Sequence, residues 1–196
     1  MKKAKALKVI KCQGIDYEIG QQYAEACRED FSRIIEEVYA LSQQYKINKE
    51  QIIANINEFL PLVENFDPQT VDFIKGMPKS SNIGFEEALM LRATLELMFI
   101  YAGKIPGLCT SFAATGKAVK SGKNLLDQNF EAFDNIPFVL LRIKRADGID
   151  QLCLAYGGIF ECGLNSLGIG IGMNATLPYH NVSYEINIPL GCYLPS

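Results

Sequence analysis

Cys109 lies in the stretch IPGLCTSFAATGKAVKSGKNLLDQNFE, where a helical pattern gives way to a strand-rich one. A thiol at such a junction, followed by small and hydroxyl residues, has the makings of a nucleophile. The reactive form is the thiolate, so the thiol needs a nearby base. Histidine is the usual base, but the only one here, His180, has no triad-like context. Just upstream, Pro106-Gly107 supplies a turn able to present the Leu108-Cys109 bond. Amide-bearing and acidic residues follow in Asp127-Gln128-Asn129-Phe130-Glu131, and another asparagine closes Met173-Asn174.

Other motifs lead nowhere. Gly168-Ile-Gly170-Ile-Gly172 resembles a dinucleotide loop, but such a loop must open a helix, and Asn174-Ala-Thr-Leu-Pro178 follows instead. The run from Gly116 to Lys123 is one residue too long for a phosphate loop, and Asn124 stands where a magnesium-binding hydroxyl belongs. The six cysteines form no CxxC pair and one histidine completes no familiar zinc spacing, so neither a metal nor a cofactor is expected. Most of the thiols are expected to be small core residues.

Elements must position Cys109. The chain has 196 residues, 48% of them hydrophobic and 21% charged, which is enough to bury a real core as a soluble globular protein. A net charge of -3 offers no basic field for nucleic acid. No run approaches a membrane span, and Lys8 and Lys11 break the apolar stretch that a secretion signal requires, so a cytoplasmic address is expected. Alternation around Leu7, Val9 and Cys12 predicts a strand ended by Gly14. Helical spacing then runs from Ile19 through Phe31 to Leu41 and predicts one long helix. A second helix is expected from a capping-box start at Asn48 and Gln51 to a limit at Pro61. A short one is expected between Asp67-Pro68 and Gly76, and another over about 85–100.

After Cys109 the period becomes that of strands. Thr110 to Ala114 and Leu125 to Asn129 flank a glycine-containing link, FVLLRIKRADGIDQLCLAY reads as a hairpin turned at Asp147-Gly148, and ECGLN with GIGIGMN forms a pair turned at Ser166 to Gly168. The chain thus divides into a mainly helical region over 1–108 and an antiparallel β region over 109–196. The fold class is α+β.

Four elements occur in order: Cys109-Thr110-Ser111-Phe112, Asp127 to Glu131, Gly163-Leu164-Asn165-Ser166-Leu167-Gly168, and Met173-Asn174. In this order they resemble the cysteine branch of the N-terminal nucleophile (Ntn) hydrolases, particularly the acyl-coenzyme A:6-aminopenicillanic acid acyltransferase-like proteins, with bile salt hydrolase and penicillin V acylase as more distant relatives. That family has a strand starting C-T, a segment of the type G-Q-N-W-D, and G-x-N-x-x-G-L leading into a strand that ends in Asn. The resemblance covers residues 105 to about 190. The opening CQGIDYEIGQQYAEA is similar to the G-x-x-x-E-x-G pattern of the acyltransferase-like N-terminal region.

The resemblance implies a four-layer αββα sandwich, of which this chain is expected to be a truncated member, since family members continue beyond NIPLGCYLPS. It also implies self-cleavage at Leu108-Cys109, which propels the helical region into the role of a propeptide or α-subunit. The freed α-amino group of Cys109, titrating near 7.7 to 8, would be the base, so no histidine is needed. By the same resemblance Asn174 helps form the oxyanion hole, and Glu131 stands where an aspartate usually holds the nucleophile's amino group. Gln128 and Asn129 fall in the substrate-binding segment. Asp127 replaces the usual glycine and Phe130 the usual tryptophan.

The expected function is a self-processing cysteine amidohydrolase or acyltransferase acting on a linear amide or acyl thioester through a Cys109 acyl-enzyme. The alternative is a non-catalytic relative that serves as a subunit or binds a small ligand or partner. Neither a nucleic acid nor a membrane is an expected partner. With one sheet face lacking a helical layer, self-association or a missing C-terminal partner chain is expected.

Overall fold

The structure, a computed structural model, describes residues 6–97, 109–130, 136–174, 188–189 and 192. Strand β1 (Lys8–Gly14) turns Ile10 and Cys12 inward and the intervening side chains outward. It is followed by helices α1 (Asp16–Ala26), α2 (Arg28–Gln44), α3 (Lys49–Phe66), α4 (Pro68–Gly76) and α5 (Phe85–Arg92). Then come β2 (Cys109–Ala114), β3 (Leu125–Phe130), β4 (Val139–Arg145), β5 (Asp150–Tyr156), β6 (Ile159–Asn165) and the short β7 (Gly170–Ile171). The class is α+β. Among the described residues no helix is long and apolar enough to cross a membrane.

The G-x-x-x-E-x-G pattern has a structural explanation. Gly14 takes a φ of +114°, which side-chain-bearing residues rarely adopt. Glu18 accepts the Ile15 backbone N–H at 3.1 Å, supplying a partner that the first turn of α1 lacks. Gly20 lets α1 lie directly on α4, because a Cβ there would stand 2.0 Å from the Phe73 carbonyl oxygen. Gly76 of α4 makes the reciprocal approach, since its Cβ would meet the Tyr17 carbonyl at 2.0 Å.

Three helical expectations are corrected. The single long helix is two, broken at Cys27, whose φ of -117° and ψ of 17° leave the helical region. The bend keeps Tyr23 and Phe31 in one core, edge to face at 5.1 Å between ring centroids. Pro61 does not end α3, which continues to Phe66. Proline removes the bond to the carbonyl of Asn57, but Asn57 and Pro61 both lie on the exposed side, where water can serve that carbonyl. Ile56, Phe59 and Val63 are buried on the other side and hold the helix in one piece. The helix expected over about 85–100 closes its first segment at Arg92, with Ala93 as cap, and a further helical turn occupies 94–97. The expected starts are present: Asn48 accepts the Gln51 N–H at 2.9 Å and Asp67 accepts the Gln69 N–H at 3.0 Å.

Five strands form one sheet in the order β1-β4-β5-β6-β7. β1 runs parallel to β4, while the other neighbours are antiparallel. All five helices contribute to one core with the inward face of this sheet, where Ile10, Leu141, Ile143, Cys153 and Phe160 meet Ile19, Phe31, Ile74 and Leu89. The Gly157-Gly158 turn is held from the helical side: the Tyr23 hydroxyl donates to the Gly157 carbonyl, and Arg92 donates to the Gly158 carbonyl at 2.7 Å. The buried Arg92 guanidinium also lies 4.7 Å from the Phe160 ring centroid. At the far end Arg145 forms a two-pronged pair with Asp16 at 2.8 and 3.1 Å and donates to Gln69 at 2.8 Å.

The other sheet face has no helical cover among the described residues. Val9 and Leu164 are exposed on it, and Leu140, Leu152 and Leu154 are half-buried. Strands β2 and β3 form a separate two-stranded hairpin. It joins the sheet through an aromatic cluster in which Phe130 stands 5.2 Å from Phe138 and 6.1 Å from Tyr156, ring centroid to ring centroid.

Candidate active site

Cys109 is the first residue of β2 and pairs across the hairpin with Phe130, while Ser111 pairs with Gln128. Side chains alternate along a strand, so Cys109, Ser111, Gln128 and Phe130 share one face. All four are half-buried. Thr110 and Asn129 occupy the opposite, exposed face.

The segment after β7 docks on the Cys109 face. Gln128 does this with its side-chain amide, which behaves like one peptide unit of a strand. Its Nε2 donates to the Met173 carbonyl at 2.7 Å, and its Oε1 accepts the Met173 N–H at 2.8 Å. The same Nε2 donates to Asn174 Oδ1 at 3.2 Å. Asn174 Nδ2 in turn donates to Ser111 Oγ at 3.0 Å. Two partners therefore define the orientation of the Asn174 amide: Gln128 takes its oxygen end and Ser111 one N–H, which leaves the second N–H for a further acceptor. Gly172 leaves room for this approach, since a Cβ there would lie 2.9 Å from Gln128 Oε1 and push the side-chain amide aside.

Ser111 is one strand repeat from Cys109 on the same face, about 7 Å along the strand. The network joins Gln128 and Asn174, two of the residues singled out from sequence, through Ser111 on the strand face that also bears Cys109. Asn129 is not brought to them. Leu108 and Glu131 lie outside the described residues, as does His180. Ser111 was overlooked as a site residue, although alternation in Cys109-Thr110-Ser111 already places it on the nucleophile's face.

Four of the other five thiols are more deeply buried than Cys109. Burial pushes the Cys12 thiol up to about 11 and those of Cys27 and Cys153 to about 12. Cys192 is likewise raised by burial, with Arg92 acting in the opposite sense. These four are buried, neutral core thiols, whereas Cys109 and Cys162 are half-buried. Among the described residues no three of His, Cys, Asp and Glu converge as metal ligands. Among the described residues the face that bears Cys109 presents the amides of Gln128 and Asn174 and the hydroxyl of Ser111, groups able to stabilise a developing oxyanion.

No protein-family model matches the chain.

Proposed function

We propose that this chain is a cysteine amidohydrolase or acyltransferase of the N-terminal nucleophile type, with an αββα architecture and Cys109 as its nucleophile. The observation that carries the reading is the Ser111–Asn174–Gln128 network on the face of β2 that bears Cys109. It holds an amide donor in a fixed orientation on the strand face that bears a half-buried thiol, and acyl transfer needs a nucleophile and an oxyanion donor on one surface.

The chemistry proceeds in two stages. In the first, the Cys109 sulfur attacks the Leu108 carbonyl, the C–N bond breaks, and the acyl group moves to sulfur while the nitrogen takes the thiol proton. Water then hydrolyses this thioester, leaving a Leu108 carboxylate, a free thiol and the Cys109 amine. In the second, that amine accepts the thiol proton and the thiolate attacks the carbonyl of a linear amide or acyl thioester. The free N–H of Asn174 donates to the oxyanion. The leaving amine or thiol departs with the proton, and the acyl group on Cys109 passes to water or to another nucleophile. Glu131 would hold the ammonium form of the terminal amine, as the resemblance implies.

A cytoplasmic enzyme fits this reading, since a free thiol nucleophile persists where thiols stay reduced. Intact-mass spectrometry of the purified chain tests it. Fragments spanning 1–108 and 109–196, absent from Cys109→Ala, are expected. A chain that stays whole under all conditions would instead favour a non-catalytic binding relative.

A further inference from the structure

Away from the Cys109 face, a cleft of about 430 Å³ lies at the β1 edge of the five-stranded sheet, lined by Lys11, Cys12, Gln13, Gln22, Arg142 and Lys144. Lys11 and Arg142 are directly opposite each other on the parallel β1 and β4, and Lys144 follows two residues on, opposite Gln13. All three cationic side chains are exposed, and all project from the face that the helices leave uncovered. Like charges directly opposite on neighbouring strands destabilise a sheet. No described carboxylate forms an ion pair with any of the three. Asp150, opposite Lys144 on β5, makes none with it.

The contrast with the next residue is informative. Arg145 is saturated by Asp16, Asp147 and Gln69. The chain carries a net charge of -3, yet among the described residues no carboxylate pairs with Lys11, Arg142 or Lys144. The cleft is also prearranged. Gln22 of α1 receives the Gln13 N–H at 3.0 Å and donates to the Gln13 carbonyl at 2.7 Å, sealing the strand edge and fixing one wall. Such a wall limits what has to be ordered on binding.

We infer that this cleft binds the phosphate or diphosphate group of a small phosphorylated molecule. A guanidinium supplies a planar fork and the two ammonium groups supply point charges, which together match a multiply charged oxyanion better than a single carboxylate. The volume suits a small molecule. Among the described residues no aromatic side chain lines the cleft to stack a base, and three cations are few for a nucleic-acid track, which favours a small molecule over a polymer. Such a ligand would offset the repulsion stored between Lys11 and Arg142.

The test uses the full chain and inorganic pyrophosphate, followed by calorimetric titration at low and physiological salt, with citrate as a polycarboxylate control. One saturable site is expected, tighter for pyrophosphate than for citrate. Arg142→Gln should weaken binding by roughly tenfold or more, as expected for loss of charge-assisted hydrogen bonds, and Arg142→Lys by less. Lys117→Gln, an exposed lysine between β2 and β3, should bind as the parent does. A second readout separates binding from folding: in the ligand-free state Lys11→Gln and Arg142→Gln should melt at or above the parent's temperature while binding more weakly. Absence of saturation at millimolar pyrophosphate, equal binding by Arg142→Gln, or equal affinity for citrate would overturn the inference. Because these readouts do not involve Cys109, they stand or fall separately from the proposed acyl transfer.

Discussion

Replacing Gln128 with alanine removes the side chain that fastens the Met173-Asn174 segment to the β2–β3 hairpin. Three hydrogen bonds are lost, at 2.7, 2.8 and 3.2 Å. Each is worth about 0.5–1.5 kcal/mol net. Gln128 is half-buried, so water can partly replace it, and a total of about 2 kcal/mol at the lower end of the sum is expected. For a chain of this length that corresponds to a fall in melting temperature of roughly 4–8 °C. The same change frees the oxygen end of the Asn174 amide, which can then rotate out of the orientation that Gln128 and Ser111 define. Any turnover should therefore fall toward the level of Asn174→Ala, a loss of about 10²–10³ if the donor is displaced entirely. Circular-dichroism melts beside rates of Leu108-Cys109 cleavage would read both effects. A variant that melts within about 1 °C of the parent would refute the clamp, and one that is destabilised but cleaves at the parental rate would refute its link to Asn174.

Further outcomes are expected. Cys109→Ala should abolish cleavage and turnover while leaving the melting temperature nearly unchanged, because the side chain is half-buried at a strand end rather than packed in the core; unaltered turnover would exclude the mechanism. Gly20→Ala should destabilise by about 3 kcal/mol, since its Cβ would stand 2.0 Å from the Phe73 carbonyl and two backbones would have to part; denaturant titration measures this. Stability should fall as pH rises from about 9 toward 12. Cys12, Cys27 and Cys153 stay neutral in the fold up to about 11 or 12, whereas in the unfolded chain they ionise near 9.0, so their contribution is complete below the unfolded value and is lost through the folded ones; alkaline urea titrations of the parent and Cys153→Ala test the sign. Val9, Leu164, Leu167 and Ile169 are exposed, so the chain should self-associate through the uncovered sheet surface or need a partner, and a concentration-independent monomer in light scattering would contradict that.

Much of the local structure is legible in the sequence because its causes are local. Asn48 and Asp67 start helices by accepting nearby N–H groups, and Gly148 and Gly168, with φ of +89° and +85°, close the hairpins at the places that composition indicates. What escapes such reading depends on distant partners. Pro61 is tolerated because tertiary burial of Phe59 and Val63 outweighs one lost hydrogen bond on a wet face. β1 finds its parallel partner β4 about 130 residues later, and no periodicity specifies that pairing. At the candidate site, motif order points to Cys109, Gln128 and Asn174, and alternation explains why Asn129 is turned away. The double pairing of Gln128 with Met173 is invisible in one dimension, because a glutamine standing in for a backbone peptide leaves no signature in sequence.

The central claim is that Cys109 becomes a terminal nucleophile carrying its own base. A reagent that condenses only with a 1,2-aminothiol, such as a cyanobenzothiazole, probes this directly, because an internal cysteine lacks the free amine. Mass spectrometry after such treatment should find the adduct on a fragment beginning at Cys109, and none on Cys109→Ala. An uncut chain that gains no adduct, even after prolonged incubation with the fold verified intact, would contradict the account.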